Sequence, residues 1–184
     1  MIEAELAMNR RLGDSEHEIL ITQNNLATTY QQLGRDESAL RMLQDVYTGR
    51  MKLNGEHPNA LTAAANYAAM LRKLGRFKEA RSLLRKTMAV AQRVLGESHQ
   101  LTIKMRYNYA EALYLDSGAT LDDLRKAVTT LEETERTARR IFGATHPLSL
   151  DLAVALRASR ALLAAREGDD VSAVRGALDA MRAT

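Results

Sequence analysis

Four histidines, a recurring asparagine and several carboxylate pairs are the residues of this chain with chemical potential. His57, His99 and His146 stand in related contexts, Glu56-His57-Pro58, Ser98-His99-Gln100 and Thr145-His146-Pro147. A helical metal pair needs a second histidine or a carboxylate three or four residues on, and none of the three has one. His17 precedes Glu18 but forms no His-Glu-x-x-His motif. The spacing therefore predicts a helix-start role for these imidazoles and no metal. Asp122-Asp123, Glu132-Glu133 and Asp169-Asp170 could serve acid–base chemistry, but they fall at expected helix starts and on exposed faces. There, negative charge favours the positive end of the helix dipole or pairs with arginine one turn away. Arg136, Arg139 and Arg140 make a helical stripe that reads as a solvated face. With no cysteine, disulfides and thiolate metal sites are excluded. No phosphate loop, nucleophile elbow or Ser/His/Asp arrangement is visible, so the chain reads as a non-enzyme without cofactor.

The asparagines lead to the elements that hold them. Asn25-Leu26-Ala27, Asn66-Tyr67-Ala68 and Asn108-Tyr109-Ala110 recur at offsets of 41 and then 42 residues. Eight of the ten glycines fall into two interleaved series: Gly13, Gly55, Gly96, Gly143 and Gly34, Gly75, Gly118, Gly168. Between neighbours lie about twenty residues with apolar positions at i, i+3, i+4 and i+7, and glycine just past such a stretch marks a helix C-terminus. Seven residues after Ala27 and Ala68 come Gly34 and Gly75, and twelve after come Ala39 and Ala80. The third repeat carries five extra residues, 116–120, which moves its alanine to Ala127. Ala161, Gly168 and Ala173 restore the spacings in the fourth, whose first helix is expected to be about one turn longer.

The expected organisation is a remnant helix at 1–12, then repeats at 13–54, 55–95, 96–142 and 143–184. Small residues suit the close crossing of two helices in a hairpin. Leu43, Leu84 and Leu131, four residues after Ala39, Ala80 and Ala127, fill the space beside it. Both prolines of the chain sit at one repeat position in a first helical turn, where the missing N–H has no helical partner. One hairpin cannot bury its apolar face alone, so the fold class is all-α, a right-handed solenoid of stacked hairpins.

Composition agrees. Hydrophobic residues make up 46% of the 184, aromatics only 4%, and Ala, Leu, Arg and Glu dominate, so sheet is not expected. Twenty-six basic residues against 23 acidic ones give +3, too even for a nucleic-acid or membrane surface. No apolar run approaches the ~20 residues that span a bilayer. The acidic start Met1-Ile2-Glu3 lacks signal-peptide features, and a cytoplasmic setting is expected.

The Ala/Gly/Ala spacing, with Tyr30 three residues after Ala27, resembles the tetratricopeptide pattern. The longer period, with Leu95-Gly96-Glu97-Ser98-His99, Leu33-Gly34-Arg35 and Gly75-Arg76-Phe77-Lys78-Glu79-Ala80, resembles its kinesin-light-chain type over residues 12–182. The stretch from Leu83 to about Glu167 is also similar to shortened light-chain-like proteins common among algae. No heptad segment for heavy-chain pairing is present. The resemblance implies about four tetratricopeptide hairpins of ~41–47 residues, their first helices lining a concave groove for an extended peptide. It also implies that the asparagine before Leu-Ala bonds the peptide backbone, which puts Asn25, Asn66 and Asn108 in the groove. An amide suits that task because it offers both a donor and an acceptor. The alternative is that these asparagines fix the stacking of hairpins. Gln32 and Lys73 lie further along the same face and are secondary groove candidates. Ser159 takes the asparagine's place in the fourth repeat. Light chains that bind acidic cargo carry an arginine in the second helix ahead of its turn glycine. The positions aligned with it here are Met8, Gly49, Ala91 and Ala138, so no acidic-peptide preference is carried over.

The expected function is a protein–protein interaction module, an adaptor holding a partner polypeptide in its groove. The alternative is a structural scaffold binding through its convex face or its ends. Met1-Ile2 and Ala177, Leu178 and Met181 lack a polar cap, and uncapped solenoid ends tend to associate.

Overall fold

The computed structural model describes the backbone of residues 15–182, and the side chains of residues 15–53 and 55–168. The remnant helix expected at 1–12, with Met8, Gly13 and the apolar Met1-Ile2, lies outside the described residues, as do the side chains of Ala177, Leu178 and Met181. Seven helices and no strand make up the described residues: α1 (Glu16–Gln32), α2 (Asp36–Asn54), α3 (Pro58–Lys73), α4 (Phe77–Leu95), α5 (Gln100–Tyr114), α6 (Leu121–Phe142) and α7 (Pro147–Arg182). None is long and apolar enough to cross a membrane.

The boundaries follow from local chemistry. Ser15 opens α1 with a capping box: its hydroxyl accepts from the Glu18 N–H, and the Glu18 carboxylate accepts from the Ser15 N–H at 3.2 Å. Thr120 and Asp123 repeat the device at α6. The first helices of the later repeats use histidine instead. Nδ1 of His57, His99 and His146 accepts the N–H two residues on, at 3.2, 3.1 and 3.2 Å. That is the helix-start role the sequence suggests.

Two helix ends show why glycine is needed. Beyond α1, the Gly34 N–H reaches back to the Gln31 carbonyl and the Arg35 N–H to the Tyr30 carbonyl, the paired bonds of a Schellman turn. Gly34 sits at φ +69°, a left-handed conformation that side chains with a Cβ resist. The hydrophobic clasp that often closes such a turn is here a cation over a ring: the Arg35 guanidinium lies 4.5 Å from the centre of Tyr30. The turn recurs at Gly75, whose N–H donates to the Arg72 carbonyl while the Arg76 N–H donates to that of Leu71.

Gly118 and Gly168 behave differently from their series. Asp116 accepts from the Gly118 N–H at 3.0 Å, so an aspartate rather than a left-handed glycine makes that turn. Gly168 lies inside α7, which runs unbroken from Pro147 to Arg182. The turn expected at 168 is not formed. Glycine in a helix costs only about 1 kcal/mol, and no proline follows to stop the helix.

The chain divides into two compact units, Met1–Asn108 and Tyr109–Thr184. In the first, α1 packs on α2, α2 on α3 and α3 on α4. Ala27, Ala39, Ala68 and Ala80 are wholly enclosed, with Leu43 and Leu84 beside them. Leu20, Val46 and Ala63 form a cluster against Tyr47, whose ring stacks on Tyr67 with centroids 6.1 Å apart. Burial pushes both phenols above their ordinary value of 10.0. In the second unit, α6 packs on α7 around Ala127, Leu131, Ala138 and Leu152, all fully buried. Salt bridges from Arg160 to Glu132 and from Arg125 to Glu167 run along the same seam.

Candidate functional site

In the first unit the first helices of two successive repeats are neighbours. The Asn66 amide donates to Oδ1 of Asn24 at 3.4 Å, and the Gln31 amide reaches the Met70 sulfur at 3.2 Å. Along α3, Asn59, Thr62, Asn66 and Lys73 recur three or four residues (or two turns) apart and are all exposed. Asn25 is exposed on α1, one residue beyond the partner of Asn66.

A small cleft of about 130 Å³ opens beside this row. Asn24, Asn59 and Thr62 give it a polar lining, and Leu20, Ile21 and Val46 an apolar one. Ile21 remains 44% exposed, unusual for isoleucine on a packed helix. Arg50, which comes from α2 and is only 7% exposed, also lines it. Its Nη1 lies 2.7 Å from Nδ1 of His17, and its Nη2 donates to the His17 carbonyl at 3.4 Å. Among the described residues no carboxylate pairs with it. A guanidinium withdrawn from water without a counter-charge is costly, and an incoming carboxylate would relieve that cost.

Arg50 corrects the alignment made from sequence. Eleven residues after the enclosed alanines Ala39, Ala80 and Ala127 stand Arg50, Ala91 and Ala138. The same three residues stand five before the turn glycines Gly55, Gly96 and Gly143, so Gly49 is one residue out of register. Gly49 instead faces Leu20 so closely that an added Cβ would lie 2.6 Å from a methyl group. The arginine position of the second helix is thus occupied in the first repeat and closed by alanine in the next two.

The structure separates the other residues named from sequence. Asn25 and Asn66 are accessible, whereas Asn108 is 8% exposed and does not share their solvent-facing row. Ser159 is fully buried and returns its hydroxyl to the Leu156 carbonyl at 3.0 Å, so its place in the fourth repeat offers a ligand nothing. Gln32 is exposed. Lys73 is exposed and paired with Asp36 at 2.7 Å, a screened surface contact. Asn24, Asn59, Thr62 and Arg50 were not singled out by the sequence. Only Arg50 carried a usable signal, its distance from Ala39.

Comparison with known proteins places the repeats. Family models described as tetratricopeptide repeat match residues 19–59 and 59–120, together more than half of the chain. No curated protein matches. Among solved structures, a kinesin light chain of Podosopora anserina with nearly identical TPR-like repeats is 23% identical, with a TM-score of 0.72. A variant of that protein gives the same identity and a TM-score of 0.74. Both comparisons cover 100% of this chain and 86% of the other. BtubC (BKLC) from P. vanneervenii is 15% identical at a TM-score of 0.54, over 84% of this chain and 67% of its own. At these identities the likeness is one of fold, an all-α repeat solenoid of the light-chain kind, and with the repeat matches it carries one conclusion: the chain belongs to the tetratricopeptide repeat family.

Proposed function

We propose that this interaction module holds an extended segment of a partner protein across α1 and α3, with an acidic side chain of that segment reaching Arg50. The family supports the general statement, a protein–protein interaction module. The finer reading rests on one observation: a buried guanidinium lining an open cleft, without a carboxylate among the described residues. Asn25 and Asn66 then serve the backbone of the segment, each amide matching one C=O and one N–H. The exposed Ile21 offers a small apolar contact beside them. Extended peptides gain affinity from such backbone bonds and specificity from the side-chain pocket. A charge-assisted bond to Arg50 contributes about 1.5–3 kcal/mol to that specificity. The chemistry needs no cofactor, and the reading includes a cytoplasmic setting.

The test is an affinity capture from native extract, quantified by mass spectrometry. The baits are the wild-type chain and an Asn25→Leu, Asn66→Leu double variant with unchanged helical content and melting. Loss of partners with the variant supports the α1–α3 surface. Partners that persist unchanged overturn it and move attention to other faces, where the scaffold reading rests on the uncovered side of α7.

A further inference from the structure

Among the described residues Arg50 is bonded by His17 alone. Imidazole is the side chain whose charge ordinarily changes between about pH 5 and pH 8. His17 stands in the first turn of α1, exposed to solvent. The guanidinium turns two N–H groups toward it, one to Nδ1 at 2.7 Å and one to the main-chain carbonyl at 3.4 Å. A guanidinium has five donors and no lone pair, so Nδ1 is the acceptor and the other N–H groups are left for the cleft. The two side chains occur together and are lost together. In the next two repeats Ala91 and Ala138 replace Arg50, and Pro58 and Gln100 stand where His17 stands, 41 and then 42 residues on.

Few charged groups surround the imidazole. From α2 it meets Arg50. From α3 the cleft receives Asn59, Thr62 and Ala63, none of them ionisable. Glu16 and Glu18 flank His17 on its own helix, and the Glu18 carboxylate is engaged by Ser15 in the capping box. Asp45 and Lys52 of α2 line a separate hollow with Glu16.

Protonation changes both members of the pair at once. An imidazole that gains a proton on Nδ1 can no longer accept, so the bond to Nη1 is lost and two cations stand side by side. Without a counter-charge that arrangement is unfavourable. A carboxylate on Arg50 relieves it, because the anion neutralises the guanidinium and attracts the imidazolium as well. A ligand favoured by the protonated form takes up a proton as it binds, and its affinity rises as pH falls.

We propose, on the reading that the cleft takes an acidic side chain, that His17 is a positioning residue for Arg50 and makes the site proton-dependent. Neutral, it holds the guanidinium through Nδ1. Protonated, it frees Nη1 and adds a second positive charge beside the incoming carboxylate.

The test is fluorescence anisotropy of a peptide with a single aspartate, and of its asparagine counterpart, on the full chain at about pH 8 and about pH 5.5, an interval over which aspartate stays ionised. The wild type should bind the aspartate peptide roughly 3–10-fold tighter at the lower pH, with the asparagine peptide unchanged. His17→Gln keeps an acceptor for Nη1 but does not titrate. It should retain the aspartate preference of the higher pH and lose the pH dependence, with unchanged helical circular dichroism. His99→Gln should keep the dependence, because that imidazole bonds the Leu101 N–H of its own helix. An aspartate preference that ignores pH would overturn the role of His17 and leave the Arg50 reading standing. So would a folded His17→Gln that keeps the pH dependence or loses the preference at both pH values, or a dependence lost in His99→Gln. No aspartate preference at either pH would overturn both.

Discussion

Replacing Arg50 by methionine separates binding from stability in a way that a merely structural arginine would not. Methionine keeps much of the aliphatic stem and removes the guanidinium. The folded state loses the 2.7 Å contact with His17, a hydrogen bond with a net contribution of about 1 kcal/mol. The second contact, at 3.4 Å, adds little. His17 is exposed, so its ring nitrogen regains water when the arginine leaves. Against this stands the desolvation of a cation only 7% exposed, which costs up to several kcal/mol and disappears with the charge. The two terms leave stability unchanged or raised by roughly 1–2 kcal/mol. For a chain of this size that is a melting shift between zero and about +8 °C. Binding moves the other way. A bound peptide carboxylate that loses its guanidinium partner forfeits about 1.5–3 kcal/mol, or roughly 10–150-fold in affinity. The assay pairs thermal melting by circular dichroism with fluorescence anisotropy of an aspartate-containing peptide and its asparagine counterpart. Arg50→Met should abolish the difference between the two peptides. A melting temperature lowered by several degrees with the peptide preference intact would refute the reasoning and make Arg50 a packing residue.

Three further outcomes follow from the same physics. His57→Ala removes the acceptor for the Asn59 N–H and should cost about 1 kcal/mol of stability, read as a melting decrease that added zinc neither restores nor enlarges. Leu84→Ala empties a site of zero exposure and should cost about 2–5 kcal/mol in a denaturant titration. Burial raises the phenols of Tyr47 and Tyr67, so the folded state retains protons that the unfolded chain releases near pH 10. Their contribution is complete below that value and lost as pH rises through the higher folded-state values, and Tyr47→Phe should flatten the alkaline decline in melting temperature.

Much of this fold is written in short-range chemistry. The alanines at 27, 39, 68, 80, 110 and 127 mark close helix crossings because nothing larger fits, and each is fully enclosed. Gly34 and Gly75 announce their turns through a conformation that other residues resist. Gly168 carries the same letter without the same outcome. A glycine permits a turn but does not compel one. The site was less legible. Asn25 and Asn66 could be found from their recurrence, but recurrence alone could not show that Asn108 is buried. The cleft joins Asn24 of α1, Arg50 of α2 and Asn59 of α3, three helices whose meeting depends on packing rather than on any local motif. Arg50 shares its repeat position with Ala91 and Ala138, eleven residues after the enclosed alanine and five before the turn glycine, and no recurrence of its own type marks it.

The most direct test of the account is selection of a random peptide library on the folded chain, followed by sequencing of the bound peptides. The account predicts enrichment of extended peptides with aspartate or glutamate at one fixed position. That enrichment should vanish on Arg50→Met, while overall binding should weaken on Asn66→Leu. Selected peptides without an acidic position, bound equally well by both variants, would contradict it.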